Sequence, residues 1–564
     1  VSGVRDAVVE TVAITLAAAT GSGIARRVGI PAPIALVLAG MAVSLAGLLA
    51  GSEVPQIKLD AELVLLVFLP PLLYSAALES SFVNLRRNLR PILQLSVGLV
   101  LFTAVVVACT AHWLFGLPWA AAFVLGAVVA PPDAVAATAI GRTVGMPRRG
   151  LTILGGESLL NDATALTLFR LALLAAGASG LSVREGITTT LLSSLGGVVI
   201  GLVLAPVVHQ LRIRMTEPVL ENAFALLLPF AAYVLAESLN SSGVLAVVVL
   251  GLYLGHHEAE TSFAVRLQAR AVWRMLDFLL ESVVFLLIGL QIPPIVRTAL
   301  RYWGPGQLVA YGAVVIVVVI LARFVWIYPT TYLPRWLSRG LRERDPSPPW
   351  QEPAVLAWAG MRGVVSLAAA LAIGDRLHDE PRSLVLYLTV CVVLGTLVIH
   401  GFTLPWVIRR LGVGGREEAD DVLAEAQVQH AAARAAIDRL DALLAEEGEI
   451  PDGVEDRLRD RAEHRANSAW ERLGGGGTGM PRVGPDPLEG ESASGVEAAA
   501  VAAHHAEDVP HETPAQAFRR LRREMLEAER SVFVDMRDAG RIDDDVLRRV
   551  INELDLEEAM LARD

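Results

Sequence analysis

Long apolar runs, parted by short polar loops, fill the chain from its first residues to about residue 410. Runs of spanning length begin near Ala7, Ile30, Asp60, Leu89, Pro118, Gly150, Gly186, Val219, Ser241, Ala271, Gly304, Gln351 and Leu384. At about 1.5 Å per residue, a helix of such length crosses a hydrocarbon layer roughly 30 Å thick. The pattern predicts an all-α polytopic membrane protein of about 13 transmembrane helices, with the Ser241 run the shortest. Arg5 ahead of the first run has the look of a secretory leader, but Arg26 and Arg27 at its far end suit a retained helix that enters from outside.

After Arg410 the period of the pattern changes. Glu417 to Leu473 is rich in Ala, Glu, Asp, Arg and Leu with charges spaced i, i+4, which predicts two amphipathic helices. A Gly- and Pro-rich stretch then reads as a flexible linker, and Gln516 to Met560 returns to a helical pattern. The expected division is a transmembrane domain over 1–410, a helical cytoplasmic segment over 411–473, a linker over 474–514 and a C-terminal helical segment over 515–564. No catalytic constellation marks the tail, which reads as an accessory, regulatory module with an unidentified ligand or partner. An unstructured solubilising tail is the alternative.

Composition sharpens this picture. Of 564 residues 54% are hydrophobic and 19% charged, with mean hydropathy +0.51, as a membrane protein requires. The net charge of −11 conceals two unlike parts: residues 411–564 hold 19 Arg against 36 Asp and Glu, so the membrane part is mildly basic and the tail strongly acidic. Cys109 and Cys391 lie in different apolar runs without metal-ligand spacing and read as packing residues.

Arginines cluster in alternate loops, at Arg26 and Arg27, Arg86 to Arg90, Arg142 to Arg149, Arg212 and Arg214, Arg266 to Arg274, Arg335 to Arg344, and Arg409 and Arg410. The positive-inside rule makes these loops cytoplasmic, with the N-terminus outside and the tail inside the cell membrane.

Polar groups at membrane depth carry the chemistry. Within the run from about Gly150 to Gly177 stands Gly-Gly-Glu-Ser-Leu-Leu-Asn-Asp-Ala-Thr, residues 155–164. A lone charge at that depth costs about 2.5–3.5 kcal/mol, so such groups normally face a protein interior or an aqueous path. Helical spacing puts Ser158 and Asp162 on one face, and Glu157 and Asn161 on another. The Ser158/Asp162 face is where a small cation is expected; bridging between helices is the alternative.

In the fifth run, Pro131 and Pro132 remove backbone donors beside Asp133, so freed carbonyls can line a cavity there, or the prolines simply kink the helix. In the twelfth, Gly360-Met361-Arg362-Gly363 is a second discontinuity. One broken segment in each half of a chain is the mark of an inverted-repeat transporter. Asp277, Glu281, Glu221 and Glu237 read as vestibule or interhelical groups, and His256, His257 and His400 as solvated residues near cytoplasmic ends.

If Asp162 is the one carboxylate that changes charge near neutral pH, it holds a proton or an alkali cation, never both, and that competition couples the two fluxes. Glu157 paired with Arg362 would cancel a charge that otherwise repels the cation. One exchanging acid implies an electroneutral cycle.

The stretches FLPPLLYSAAL (Phe68 to Leu78), VLGAVVAPPDAVAATA (Val124 to Ala139), GGESLLNDATALTLF (Gly155 to Phe169) and GMRGVVSL (Gly360 to Leu367) resemble the monovalent cation:proton antiporter family, bacterial sodium/proton antiporter branch. The resemblance covers about residues 7–410. It implies thirteen helices in two inverted repeats, a dimerisation domain, a moving core domain and a homodimer in the lipid membrane. It also implies that Asp162, Asp133, Ser158 and the Pro132 carbonyl hold transported Na⁺, with Asn161 and Thr138 in support and Glu157 with Arg362 as the stabilising ion pair. Arg323 matches an arginine of the family's eleventh helix.

Many members carry a glutamate where this chain has Ser75, which leaves the choice among sodium, lithium and potassium open; Glu79, one turn on, is a candidate replacement. A K⁺/H⁺ antiporter of the same fold is the near alternative, and a channel or membrane sensor the distant one. No TVGYG filter, GxxxxGK[ST] loop, HExxH or GxSxG frame occurs, which speaks against a potassium channel, an ATP-driven pump and a membrane-embedded hydrolase. No enzyme activity, cofactor or nucleic-acid partner is expected.

Overall fold

A computed structural model describes residues 2–28, 32–49, 66–177, 183–215, 217–414, 417–447, 450–474 and 512–562. The chain forms two compact units, Val1–Gly415 and Arg416–Asp564, and every regular element among the described residues is helical.

The first unit contains α1 (Ser2–Val28), α2 (Ala32–Leu49), α3 (Leu69–Leu78), α4 (Leu89–Phe115), a broken α5 (Trp119–Val129 and Ala134–Val144) and α6 (Arg148–Gly177). These are followed by α7 (Val183–Arg212), α8 (Pro218–Ser238), α9 (Gly243–His256), α10 (Phe263–Ala299), α11 (Pro305–Leu337), a broken α12 (Gln351–Trp358 and Val364–Leu371) and α13 (Asp379–Leu411). Each of the thirteen apolar runs thus carries helix, although the start of the third falls outside the described residues. Among the described residues, 9 helices are long and apolar enough to span a membrane by themselves. α1, whose apolar part is Val12–Ala25, the shorter α3 and α9, and the broken α12 complete the set. The protein is a polytopic membrane protein.

One start differs from expectation. α10 begins at Phe263 rather than near Ala271, because Ser262 caps it by accepting from Val265 N–H and the helix runs through Arg266 and Arg270 before its apolar stretch opens.

Both discontinuities are real breaks, and they meet. α5 stops at Val129, and Asp133 caps the second half, its carboxylate accepting from Val135 N–H at 2.8 Å. Pro131 and Pro132 cannot donate, so the chain cannot continue helically through them. α12 stops at Trp358 and resumes at Val364. Across the gap Asp133 N–H donates to Met361 C=O at 2.7 Å, and Arg362 N–H donates to Thr396 Oγ1 of α13 at 3.0 Å. One pair of freed backbone groups is thereby satisfied between the two breaks and a further N–H by α13, as buried peptide groups require.

In the second unit α14 (Glu417–Glu447), α15 (Val454–Gly474), α16 (Pro514–Asp538) and α17 (Asp544–Leu561) form a bundle. Leu440, Leu458, Leu521 and Met525 fill one end, and Val428, Phe533, Val546 and Val550 the other. The segments on either side of the linker, read as separate pieces, pack into one body because neither amphipathic face is buried without the other. The linker itself lies outside the described residues apart from its ends.

Candidate functional site

α6 brings the central groups together at the crossing of the two breaks. Asn161, fully buried, donates from Nδ2 to Pro132 C=O at 2.6 Å. That carbonyl, expected to face a cation, is thus held by Asn161 on one of its lone pairs. Ser158 Oγ accepts from Ala134 N–H at 3.3 Å, so it caps the second half of α5 alongside Asp133. Asp162 is buried and, among the described residues, takes no side-chain hydrogen bond. The charged group that acts on it is Asp133. Two carboxylates, a hydroxyl and a proline carbonyl therefore gather around one helix turn of α6. Thr138 donates to Ala134 C=O at 2.8 Å within its own helix and makes no hydrogen bond to α6 among the described residues.

The ion pair is not the expected one. Glu157 pairs with Arg323 of α11, which grips both carboxylate oxygens at 2.5 and 2.7 Å and donates from Nε to Leu356 C=O at 3.1 Å. Both side chains are buried. Arg362, assigned to Glu157 from the sequence, is 1% exposed and none of its three guanidinium nitrogens has a hydrogen-bond partner among the described residues. The reason is local: Gly360 has no side chain, and a Cβ there would lie 2.5 Å from Arg323 Cδ, so the glycine opens the slot through which Arg323 reaches Glu157. Arg362 meanwhile is tethered through its own N–H to Thr396. Its charge acts on Arg323, Glu157 and His400. Gly363 is constrained in the same way, since a Cβ there would run into the Asp133 carboxylate.

Ser75 donates to Asp277 Oδ2 of α10 at 2.5 Å. Glu79 is exposed at the C-terminal cap of α3. Asp277 therefore has the interhelical position read for it, as do Glu221, which pairs with Arg212 at 3.1 Å, and Glu237, which pairs with Arg170 at 3.1 Å. His400 departs from the solvated reading: it is buried in α13 against Trp358, ring centroids 5.0 Å apart. Thr396 and the Met361 carbonyl were absent from the sequence reading, because a threonine inside an apolar helix and a backbone oxygen leave no motif. The Gly-Met-Arg-Gly break was their only herald.

The family described as "Sodium/hydrogen exchanger, transmembrane" matches residues 12–410. An uncharacterized Na⁺/H⁺ exchanger of Mycobacterium tuberculosis is 35% identical over 98% of this chain and 95% of that one. A sodium, potassium, lithium and rubidium/H⁺ antiporter of Bacillus subtilis is 31% identical over 64% of this chain and 56% of its own. In structure, the sodium proton antiporter MjNhaP1 of Methanocaldococcus jannaschii superposes with a TM-score of 0.55 at 18% identity, covering 73% of this chain and 100% of that one. The likeness is one of fold.

Proposed function

The chain belongs to the sodium/hydrogen exchanger family, and from that premise we propose that it exchanges Na⁺ for H⁺ across the cell membrane, one for one, with Asp162 as the group that carries each in turn. The observation that supports this most is the state of Asp162: buried, without a hydrogen bond among the described residues, and set beside Asp133 at the meeting of two broken helices. A carboxylate so placed is stabilised either by a proton or by a cation. Asp133, Ser158 and the second lone pair of Pro132 C=O complete an oxygen set suited to a hard monovalent ion.

Glu157 takes no part in the exchange on this reading, because Arg323 cancels its charge. One titrating acid, one cation and one proton give no net charge movement per cycle. An N-terminus outside and a tail in the cytoplasm, which the arginine-rich loops support, belong to this proposal. The homodimer and the moving core domain implied by the resemblance belong to the same proposal.

Potassium in place of sodium is the second reading, favoured by the ions named for the Bacillus subtilis relative. Purified protein in liposomes separates the two: with a pH-sensitive dye inside, Na⁺, Li⁺ and K⁺ are added singly. Sodium-driven proton release that is unchanged when the membrane voltage is clamped supports the proposal. A response to K⁺ alone, or a rate that follows the imposed voltage, overturns it.

A further inference from the structure

Asp277 carries an unusual burden for a residue outside the Asp162 cluster. Its Oδ2 accepts from Ser75, while its Oδ1 is buried with no hydrogen-bond partner, and it forms no ion pair among the described residues. The ring contact between Tyr74 and Trp273, centroids 5.2 Å apart, holds α3 against α10 on either side of this bond. The charge that acts on Asp277 is another carboxylate, Glu79, and Glu281 follows one helical turn along α10. Arg266, Arg270 and Arg274 precede Asp277 on α10, which puts it just inside the arginine-rich side of the membrane. α3 packs against α6 as well as α10, so the helix that anchors Asp277 also borders the helix that carries Asp162.

We infer that Asp277, held in place by the Ser75 hydroxyl, is a second cation-handling carboxylate, a station at which an alkali cation rests between the cytoplasm and Asp162. A buried carboxylate oxygen lacking any donor is stabilised by a cation. A carboxylate on the way in also raises the local concentration of cations and sets the affinity felt from the cytoplasm. The switching between proton and cation stays at Asp162, and the inference rests on that assignment.

The test uses the full chain in liposomes, with Na⁺ as the probe and exchange read over a range of Na⁺ concentrations. Asp277→Asn is expected to raise the half-saturating Na⁺ concentration about tenfold at low ionic strength, with the maximal rate kept. Added choline chloride should shrink that difference, because exposed-path electrostatics are screened. Ser75→Ala should move the same quantity in the same direction by less. Moving the acid across its own hydrogen bond, with Ser75→Asp and Asp277→Ser together, should restore the wild-type value and so separate lost charge from damaged packing. An Asp277→Asn protein with unchanged Na⁺ dependence, or one whose shift ignores salt and is not restored by the relocated acid, overturns the inference. Asp162→Asn runs beside these as its own arm: exchange surviving there defeats the assignment of Asp162, whereas an inert Asp162→Asn with a normal Asp277→Asn defeats the station alone.

Discussion

Glu157 and Arg323 lie 166 residues apart in sequence and meet fork to fork at 2.5 and 2.7 Å in a setting closed to solvent. Losing one member of such a pair leaves a bare buried charge, at about 3–5 kcal/mol. Arg362 makes the two losses unequal, because its own guanidinium is unpaired and its charge already acts on Glu157. Glu157→Gln leaves two buried arginines facing each other and is expected to cost the full amount. Arg323→Gln leaves Arg362 to take the carboxylate and should cost less. Thermal unfolding of the purified variants in detergent, closed into a cycle with the double mutant, measures both.

Gly363 is set against the Asp133 carboxylate with no room for a side chain. Gly363→Ala should displace Asp133 and lower exchange by about a hundredfold, the scale expected when reacting groups are misplaced by about 1 Å, while the protein stays folded. Gly155→Ala is the control, since a Cβ there meets nothing within 4 Å. Initial rates of Na⁺-driven proton release in liposomes, normalised to inserted protein, read both variants.

Asn161 bridges α6 to the α5 break through a 2.6 Å bond to Pro132 C=O. Asn161→Ala leaves that carbonyl without its donor and is expected to destabilise the protein by about 1–3 kcal/mol, with a weakened half-saturating Na⁺ concentration. Asn161→Asp cannot donate and adds a negative charge, so it should be worse. Melting temperature and Na⁺ titration of the same preparations check the two effects together.

The tail holds a buried cluster of its own. Arg522 is fully buried and binds Glu529 at 2.9 Å and Glu557 at 2.8 Å, tying α16 to α17. Burial pushes its guanidinium below the ordinary arginine range. Arg522→Ala leaves Glu529 to Arg465, and Glu557 to Arg465 and Arg461, so it should loosen the bundle by less than the roughly 3–5 kcal/mol of a fully unpaired buried charge. Hydrogen exchange on the full chain is expected to quicken in α14, α16 and α17 while α6 and α13 keep their protection.

Much of the membrane unit was legible because apolar run length is a direct consequence of bilayer thickness. The paired prolines at 131–132 and the Gly-Met-Arg-Gly stretch announced both breaks, since missing donors and missing side chains leave marks in sequence. The start of α10 was misplaced because Arg266, Arg270 and Arg274 interrupt the apolar pattern without interrupting the helix. The choice between Arg323 and Arg362 for Glu157 was not legible. Both are mid-helix arginines, and the outcome turns on a gap left by Gly360 against a different helix. The Ser75–Asp277 bond, spanning 202 residues, was hidden for the same reason: it depends on which helix packs beside α3.

Everything functional here depends on Asp162 holding H⁺ and an alkali cation by turns. The direct measurement is Na⁺-driven proton movement by Asp162→Asn in liposomes, beside wild type at equal insertion and with the variant's melting confirmed cooperative. The account predicts that exchange vanishes at every Na⁺ concentration and every pH tried, because an amide can neither release a proton nor neutralise the ion. Exchange persisting at a substantial fraction of the wild-type rate would contradict it.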